Sequence, residues 1–403
     1  MPKKAPKKLV VLCDGTSNEI EAERTNVLRL FQCVETMSSE VIFYDPGVGT
    51  VGAYSNWNRW WIWTKEIMGL AFGKGLDDNV LSAYQFLIDN WEPGDKIYLF
   101  GFSRGSYTVR VLAGMIYTMG IFSPAQSNLK RYALDTIKQA SLKGDFQKLG
   151  IYQKTLDRKP VEIEFLGLWD TVSSVFLWVN GVFRIVNIGF TARNSAIKTV
   201  RQALSIDERR RFFVQYNWVR GQKHTTDLPN TKAFKEGEFP PQDLKEVWFA
   251  GTHCDVGGGF IDAKSQVPKI AMEWLVREAQ QSGLHFNEDK LDYFLGRVPD
   301  ENGHSLTKQD ATAPLYKSLA GAWWIVEFLP KWRNFSWSNP LSWFNFYLPL
   351  GRRRTMYDAE MDYKIQVHET VKTRQDKTGY NPSNLPPSEK IEWVTTTVPE
   401  KDT

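Results

Sequence analysis

The sequence predicts an α/β fold on a mostly parallel central sheet, and three observations carry that prediction. Short apolar runs alternate with segments of helical periodicity along most of the 403 residues. The runs end in small polar or glycine-containing turns, among them Asp14-Gly15-Thr16, Asp45-Pro46-Gly47 and Trp169-Asp170-Thr171. A hydrophobic content of 42% beside 24% charged residues supports a sizeable core, as one large domain with insertions or as two ordinary ones.

In chain order, Leu9 to Cys13 reads as the first strand, followed by a helix over about Asn26 to Met37 with Val27, Leu30, Phe31 and Val34 on one face. Val41 to Tyr44 is the next strand. Leu76 to Asn90 repeats apolar residues at helical spacing and stops at Glu92-Pro93-Gly94-Asp95, which leads into the strand Lys96 to Phe100. A tight turn and a helix from Ser106 to Met119 follow. Ile163 to Leu168, Arg211 to Tyr216, Glu246 to Ala250 and Tyr363 to Val367 read as further strands, and Pro268 to Gln281 as a helix. Val172 to Ala196 is apolar but punctuated by glycine, as an insertion over the sheet would be. The organisation expected is one domain over 1–375 with insertions around 51–75, 172–200 and 285–350. A polar, proline-bearing tail over 376–403 is expected to lie loosely on the surface.

Composition narrows the function. A net charge of +4 with only short basic clusters (Lys3 to Lys8, Arg209 to Arg211, Arg352 to Arg354) does not suggest nucleic-acid binding, and leaves a weak attraction to anionic lipid. Three cysteines at no metal-type spacing fit a reducing compartment. The N-terminal basic residues precede an apolar stretch too short for a secretion signal. No apolar run reaches membrane-spanning length; the nearest, Val175 to Phe190, is broken by Asn180, Gly181, Arg184 and Asn187. A cytoplasmic protein in peripheral contact with membrane is therefore expected. The chain is rich in aromatics, with 16 Trp, 15 Tyr and 24 Phe, and Trp in particular is dense in 57–63 and 323–347, where a lid or lipid-facing surface and plain core packing are equally good readings.

The most informative stretch is Gly101-Phe102-Ser103-Arg104-Gly105, set between strand and helix. Gly-x-Ser-x-Gly in that context is the nucleophile elbow of α/β-hydrolases. A serine on so sharp a turn is strained, and side chains two residues to either side would strike the strand and helix beneath. The turn exposes the Ser103 hydroxyl and leaves the Arg104 amide at a helix N-terminus, suited to a developing oxyanion.

Such a serine needs a base and an orienter, in the chain order Ser, Asp or Glu, His, each beyond a strand end. Asp170 ends the strand after the elbow helix, and His253 ends the last long apolar strand beside Gly257-Gly258-Gly259. Of the five histidines, His224, His285 and His304 lie in polar or capping surroundings, and His368 is the rival to His253. Asp255 competes with Asp170; its alternative is to brace the glycine turn through backbone N–H bonds. The second oxyanion donor is expected at Gly15 or Thr16, with Asp14 fixing that loop, or else in the glycine-rich run from Gly47 to Gly52. Strand followed by Asp-Gly-Thr also suits haloacid-dehalogenase phosphatases, but their nucleophilic aspartate is replaced here by Leu12. No cofactor and no metal centre is called for, while an Asp-rich Ca²⁺ site stays open.

With these residues laid out, the chain resembles the α/β-hydrolases called domain of unknown function 2235. These include phospholipase effectors of type VI secretion, the first lipase-effector family. The resemblance rests on Leu12 to Thr16 with Thr25-Asn26-Val27, Gly101 to Gly105, Trp169 to Val172, Ala203 to Arg210 and Trp248 to Gly259. It continues at Val367 to Val371 and Tyr380 to Pro386. It implies an α/β-hydrolase fold and a lipase with Ser103, Asp170 and His253 at the matching positions. Phospholipid is the implied substrate class, and a membrane surface the implied partner, with an effector-delivery, immunity or regulatory protein as a further one. Within the motif from Ala203 to Arg210, a helix start is expected, with Asp207, Arg209 and Arg210 as a structural ion-pair cluster. A phospholipase A-type esterase is the leading expectation. A soluble-substrate esterase, thioesterase or peptidase, or a silent interaction module on the same fold, are the alternatives.

Overall fold

A computed structural model describes residues 5–15, 24–35, 39–47, 74–156, 158–172, 176–179, 182–185, 188–210, 213–228, 231–319, 324, 327, 331–332, 346–347, 350–358 and 361–397. Fourteen strands occur among them. In chain order they are β1 (Lys8–Cys13), β2 (Arg24–Thr25), β3 (Glu40–Asp45), β4 (Lys96–Phe102), β5 (Ile163–Trp169), β6 (Phe176–Val179) and β7 (Val182–Ile185). They continue with β8 (Ile197–Ser205), β9 (Asp243–Phe249), β10 (Gly258–Phe260), β11 (Lys331–Trp332), β12 (Phe346–Tyr347), β13 (Ile365–His368) and β14 (Ile391–Val394).

Eight strands form the central sheet in the order β14-β13-β9-β8-β5-β4-β1-β3, and each neighbouring pair is parallel. The expected fold class is thus the observed one. Both faces are buried, which is why the strands read as continuous apolar runs rather than as alternations. Side-chain period 2 divides them cleanly. Leu9, Val11, Ile97 and Leu99 pack under the helices Lys74–Asn90, Arg104–Met119 and Lys130–Lys143. Val10, Leu12, Tyr98 and Phe100 pack under Asn26–Cys33 and Pro268–Gln281.

The order of strands has a consequence for function. From β1 the chain steps outward to β3, then returns past β1 to β4 and proceeds the other way. The switch therefore lies between β1 and β4, where the loops at the C-terminal ends diverge and leave a crevice. Asp14 and Ser103 follow those two strand ends.

Three expectations are corrected. Ile197–Ser205 is a central strand, so the insertion expected to run to 200 ends before 197, and Ala203 starts no helix. Polar residues hid this strand: Arg201 is buried against Glu278 and Asp243, and Gln202 against Arg110 and Glu246. The strand expected over Arg211 to Tyr216 is absent from its described residues; there Gln215 makes one bridge to Val172, and the carbonyls of Phe213 and Tyr216 serve buried arginines instead. The tail expected to lie loosely from 376 supplies β14, which pairs with β13 and buries Ile391. The tryptophan-rich segment 57–63 and most of 323–347 lie outside the described residues. Among the described residues no helix is long and apolar enough to cross a membrane.

Candidate active site

Ser103 sits between β4 and the helix Arg104–Met119 with φ 57° and ψ −117°. An L residue holds that conformation only when its surroundings dictate it, at a cost of about 1–3 kcal/mol. The surroundings are tight. A Cβ on Gly101 would lie 2.5 Å from the Ser106 nitrogen, and one on Gly105 would lie 2.0 Å from the Cys13 carbonyl oxygen. The Ser103 amide donates to the Trp169 carbonyl at 3.0 Å, and the Ser106 hydroxyl donates to the carbonyls of Gly101 and Trp169 at 2.6 and 3.0 Å. The turn is thereby tied to the end of β5. Among the described residues the Ser103 hydroxyl makes no hydrogen bond.

Asp170 follows β5 and also has a positive φ, 41°. Few non-glycine residues among those described share that property, and two of them are Ser103 and Asp170. Asp170 is fully buried and accepts from His253 Nδ1 at 2.5 Å. The Ser205 amide and hydroxyl donate to it at 3.0 and 3.1 Å, and Arg354 donates to both oxygens, at 2.5 and 3.1 Å. Burial would raise this carboxyl, but Arg354 and then His253 outweigh it and hold Asp170 below the usual carboxylate range.

His253 opens a short helix, His253–Gly257, capped by Thr252. Its ring lies between Phe102, stacked at 4.7 Å, and Phe213, edge-on at 4.8 Å. Gly257 makes room for this, because a Cβ there would meet the Phe102 ring at 1.9 Å. Burial lowers the imidazole pKa, with Asp170 opposing it, so the ring is neutral near pH 7. With Nδ1–H given to Asp170, Nε2 keeps its lone pair. The His253 amide donates to Glu208 Oε2 at 3.2 Å, and Arg210 pairs with Glu208 at 2.8 Å. Burial would raise Glu208, yet Arg210 brings it down to about 2.

The other expected residues fall as follows. Asp255 receives the Thr252 amide at 2.8 Å, the Thr252 hydroxyl at 2.9 Å and the Tyr316 amide at 3.3 Å; it braces the turn. His368 accepts the Thr370 amide at the start of Glu369–Thr378, bonds Thr396 at 3.0 Å and stacks on Phe249. It ends β13, four strands from β4 and so about 19 Å away at ordinary strand spacing. Its two ring nitrogens are bonded to Thr370 and Thr396, and no carboxylate among the described residues orients it as Asp170 orients His253. Asp14 accepts from Gly15 N at 2.7 Å, Thr25 Oγ1 at 2.5 Å and Tyr44 Oη at 3.1 Å, and burial pushes its carboxyl up to about 6. The Gly15 amide, expected to face an oxyanion, is thus occupied by the neighbouring carboxylate. Thr16 lies outside the described residues. Arg104 begins the elbow helix. No three His, Cys, Asp or Glu side chains among the described residues converge as a metal site would require.

The expected ion-pair cluster has other partners than its sequence spacing suggested. Asp207 pairs with Arg353 at 2.6 Å, Arg210 with Glu208, and Arg209 donates to the Gly351 carbonyl. Ser205, Glu208, Phe213 and above all Arg354 contact Asp170 or His253 in the candidate site, and the sequence did not single them out for it. Only the motif Ala203 to Arg210 hinted at the first two.

The family described as "T6SS, Phospholipase effector Tle1-like, catalytic domain" matches residues 7–278, which contain Ser103, Asp170 and His253. The chain belongs to that family. An uncharacterised protein of Saccharomyces cerevisiae is 34% identical over 224 residues, a match covering 52% of this chain and 32% of that protein. The chain thus spans about a third of the length of the relative it matches. Two solved structures are similar at low identity. One is an uncharacterised protein from Pseudomonas aeruginosa (18% identity, TM-score 0.37, covering 71% of this chain and 47% of that one). The other is the Tle1 effector bound to the VgrG spike of the type VI secretion system (20%, TM-score 0.34, 65% and 52%).

Proposed function

We propose that this Tle1-like domain is a serine esterase that removes acyl chains from membrane phospholipids by phospholipase A-type hydrolysis. One observation carries the reading: a strained serine at the sheet's switch point, beside a buried His253–Asp170 pair at 2.5 Å. Ser103 Oγ attacks the acyl carbonyl while His253 Nε2 takes its proton, then returns it to the leaving alcohol. Asp170 holds the ring in the tautomer that leaves Nε2 free, and stabilises the imidazolium. The Arg104 amide, at the positive end of a 16-residue helix, stabilises the oxyanion. A water then repeats the cycle on the acyl-enzyme.

Phospholipid as substrate, a membrane surface as the place of action and an effector role are supported by family membership. The test is fatty-acid release from phospholipid liposomes by the purified chain and by Ser103→Ala, with fluorophosphonate labelling in parallel. Release and labelling by the wild type, both lost in Ser103→Ala, are expected. Labelling without lipid turnover would retain the serine hydrolase and discard the phospholipid substrate. Release that survives Ser103→Ala would discard the nucleophile.

A further inference from the structure

A histidine needs one carboxylate oxygen to orient it, yet Asp170 is gripped on both. Arg354 places Nη1 on Oδ1 and Nη2 on Oδ2, while its remaining bonds go to the Ser205 hydroxyl at 2.7 Å, the Ser205 carbonyl at 3.4 Å and the Phe213 carbonyl at 2.5 and 3.1 Å. The guanidinium is buried, and its bonds among the described residues all stay within this site. Its backbone is pinned as well. Arg209 Nε holds the Gly351 carbonyl at 2.7 Å, Arg353 pairs with Asp207, and Gln215 holds the Thr355 carbonyl at 3.1 Å. Asn384 bridges the carbonyls of Arg354 and Ile206 at 3.1 and 3.0 Å. The strap 351–355 is therefore laid against residues 205–210 and 213–215, the first of which include Glu208, the holder of the His253 amide. It joins the site from beyond residues 7–278, where the family match lies.

We infer that Arg354 is a positioning residue: its planar fork fixes the Asp170 carboxylate, and through it the ring of His253. The inference rests on the Ser103–His253–Asp170 reading. Geometry explains the choice of side chain. A buried carboxylate facing one imidazole can rotate or take up a proton, and either change spoils the tautomer the base requires. A fork on both oxygens prevents rotation, and its charge keeps the group ionised. Lysine would keep the charge and lose the fork.

The charged and titratable groups facing His253 are Asp170 beyond β5, Glu208 and Arg210 among residues 205–210, Arg354 on the strap and Cys254 on its own helix. Deleting the Arg354 charge leaves the carboxylates in excess and favours the imidazolium, so the acid limb of activity moves to higher pH.

The experiment measures kcat and KM of the full chain on a soluble short-chain ester from about pH 5 to about pH 9. Thermal unfolding is followed alongside, for Arg354→Lys, Arg354→Met, Asp170→Asn and Ser103→Ala. Arg354→Lys is expected to keep KM and lose about tenfold in kcat with its acid limb in place. Arg354→Met is expected to lose about 10²-fold in kcat, with the limb displaced upward. Arg354→Lys at wild-type kcat, or a loss confined to KM, overturns the assignment. So does failure of both Arg354 variants to fold while Asp170→Asn folds, since the arginine would then be structural. Activity surviving in Ser103→Ala would instead overturn the reading beneath it, whatever Arg354 does.

Discussion

Gly105→Ala tests how the elbow is seated. The new Cβ would lie 2.0 Å from the Cys13 carbonyl oxygen and 2.5 Å from that of Asp14. Both are backbone atoms at the end of β1, which is hydrogen-bonded to β3 on one side and β4 on the other. No rotamer change relieves the overlap. The start of the elbow helix must back away from β1 by about 1 Å, carrying Ser103 with it, and a misplacement of that size costs on the order of 10²-fold in rate. Overpacking adds about 1–3 kcal/mol of destabilisation. The control is Gly144→Ala, where φ is +64° and nothing lies within 4 Å, so only a backbone cost of about 1–2 kcal/mol applies. The assay is the rate of fluorophosphonate labelling and short-chain ester turnover, with thermal unfolding of each variant. Gly105→Ala should label about 10²-fold more slowly, and Gly144→Ala at the wild-type rate. A Gly105→Ala protein that labels normally and melts with wild type would refute the argument that the elbow rests on the β1 backbone.

Because burial lowers the His253 pKa below its ordinary 6.5, ester turnover should be flat through neutral pH and fall on acidification with an inflection below 6.5; an inflection above 7 would contradict a buried neutral imidazole. Asp14 is raised from 3.8 to about 6, so its contribution favours the fold at low pH and is lost as pH rises through that interval, a change of about 3 kcal/mol. The difference in unfolding free energy between wild type and Asp14→Asn, measured from about pH 4 to about pH 7, should show that slope; a pH-independent difference would mean the carboxyl titrates alike in both states. His368→Ala should cost about 1–2 kcal/mol through the lost helix cap and leave ester turnover near wild type, whereas His253→Ala should abolish turnover. Equal loss of activity in both would remove the distinction drawn between the two histidines.

Much of the architecture was readable because a parallel sheet covered on both faces leaves near-continuous apolar strands. β1, β4, β5 and β9 were each found within a few residues of their observed bounds, and Pro268–Gln281 was located at its observed bounds. β8 was not, because Arg201 and Gln202 sit inside it, and a buried arginine looks no different from an exposed one until its partner is known. The same blindness affected the tail, whose β14 has only Ile391 fully inside.

At the site, the sequence by itself determined the elbow, since two glycines around a serine between strand and helix answer to a local steric demand. It also pointed to Asp170 and His253 as candidates, because strand ends in a parallel sheet share one edge. Only the tertiary structure told His253 from His368, by setting the first on Asp170 and the second on Thr370 and Thr396, and Asp170 from Asp255, by the direction of each carboxylate's hydrogen bonds. It alone turned the Gly15 amide away and brought in Arg354, 184 residues beyond Asp170. The physical reason is range: glycine and turn requirements act between neighbours in the chain, whereas the pairing of buried charges depends on which distant segments the packed sheet brings into contact.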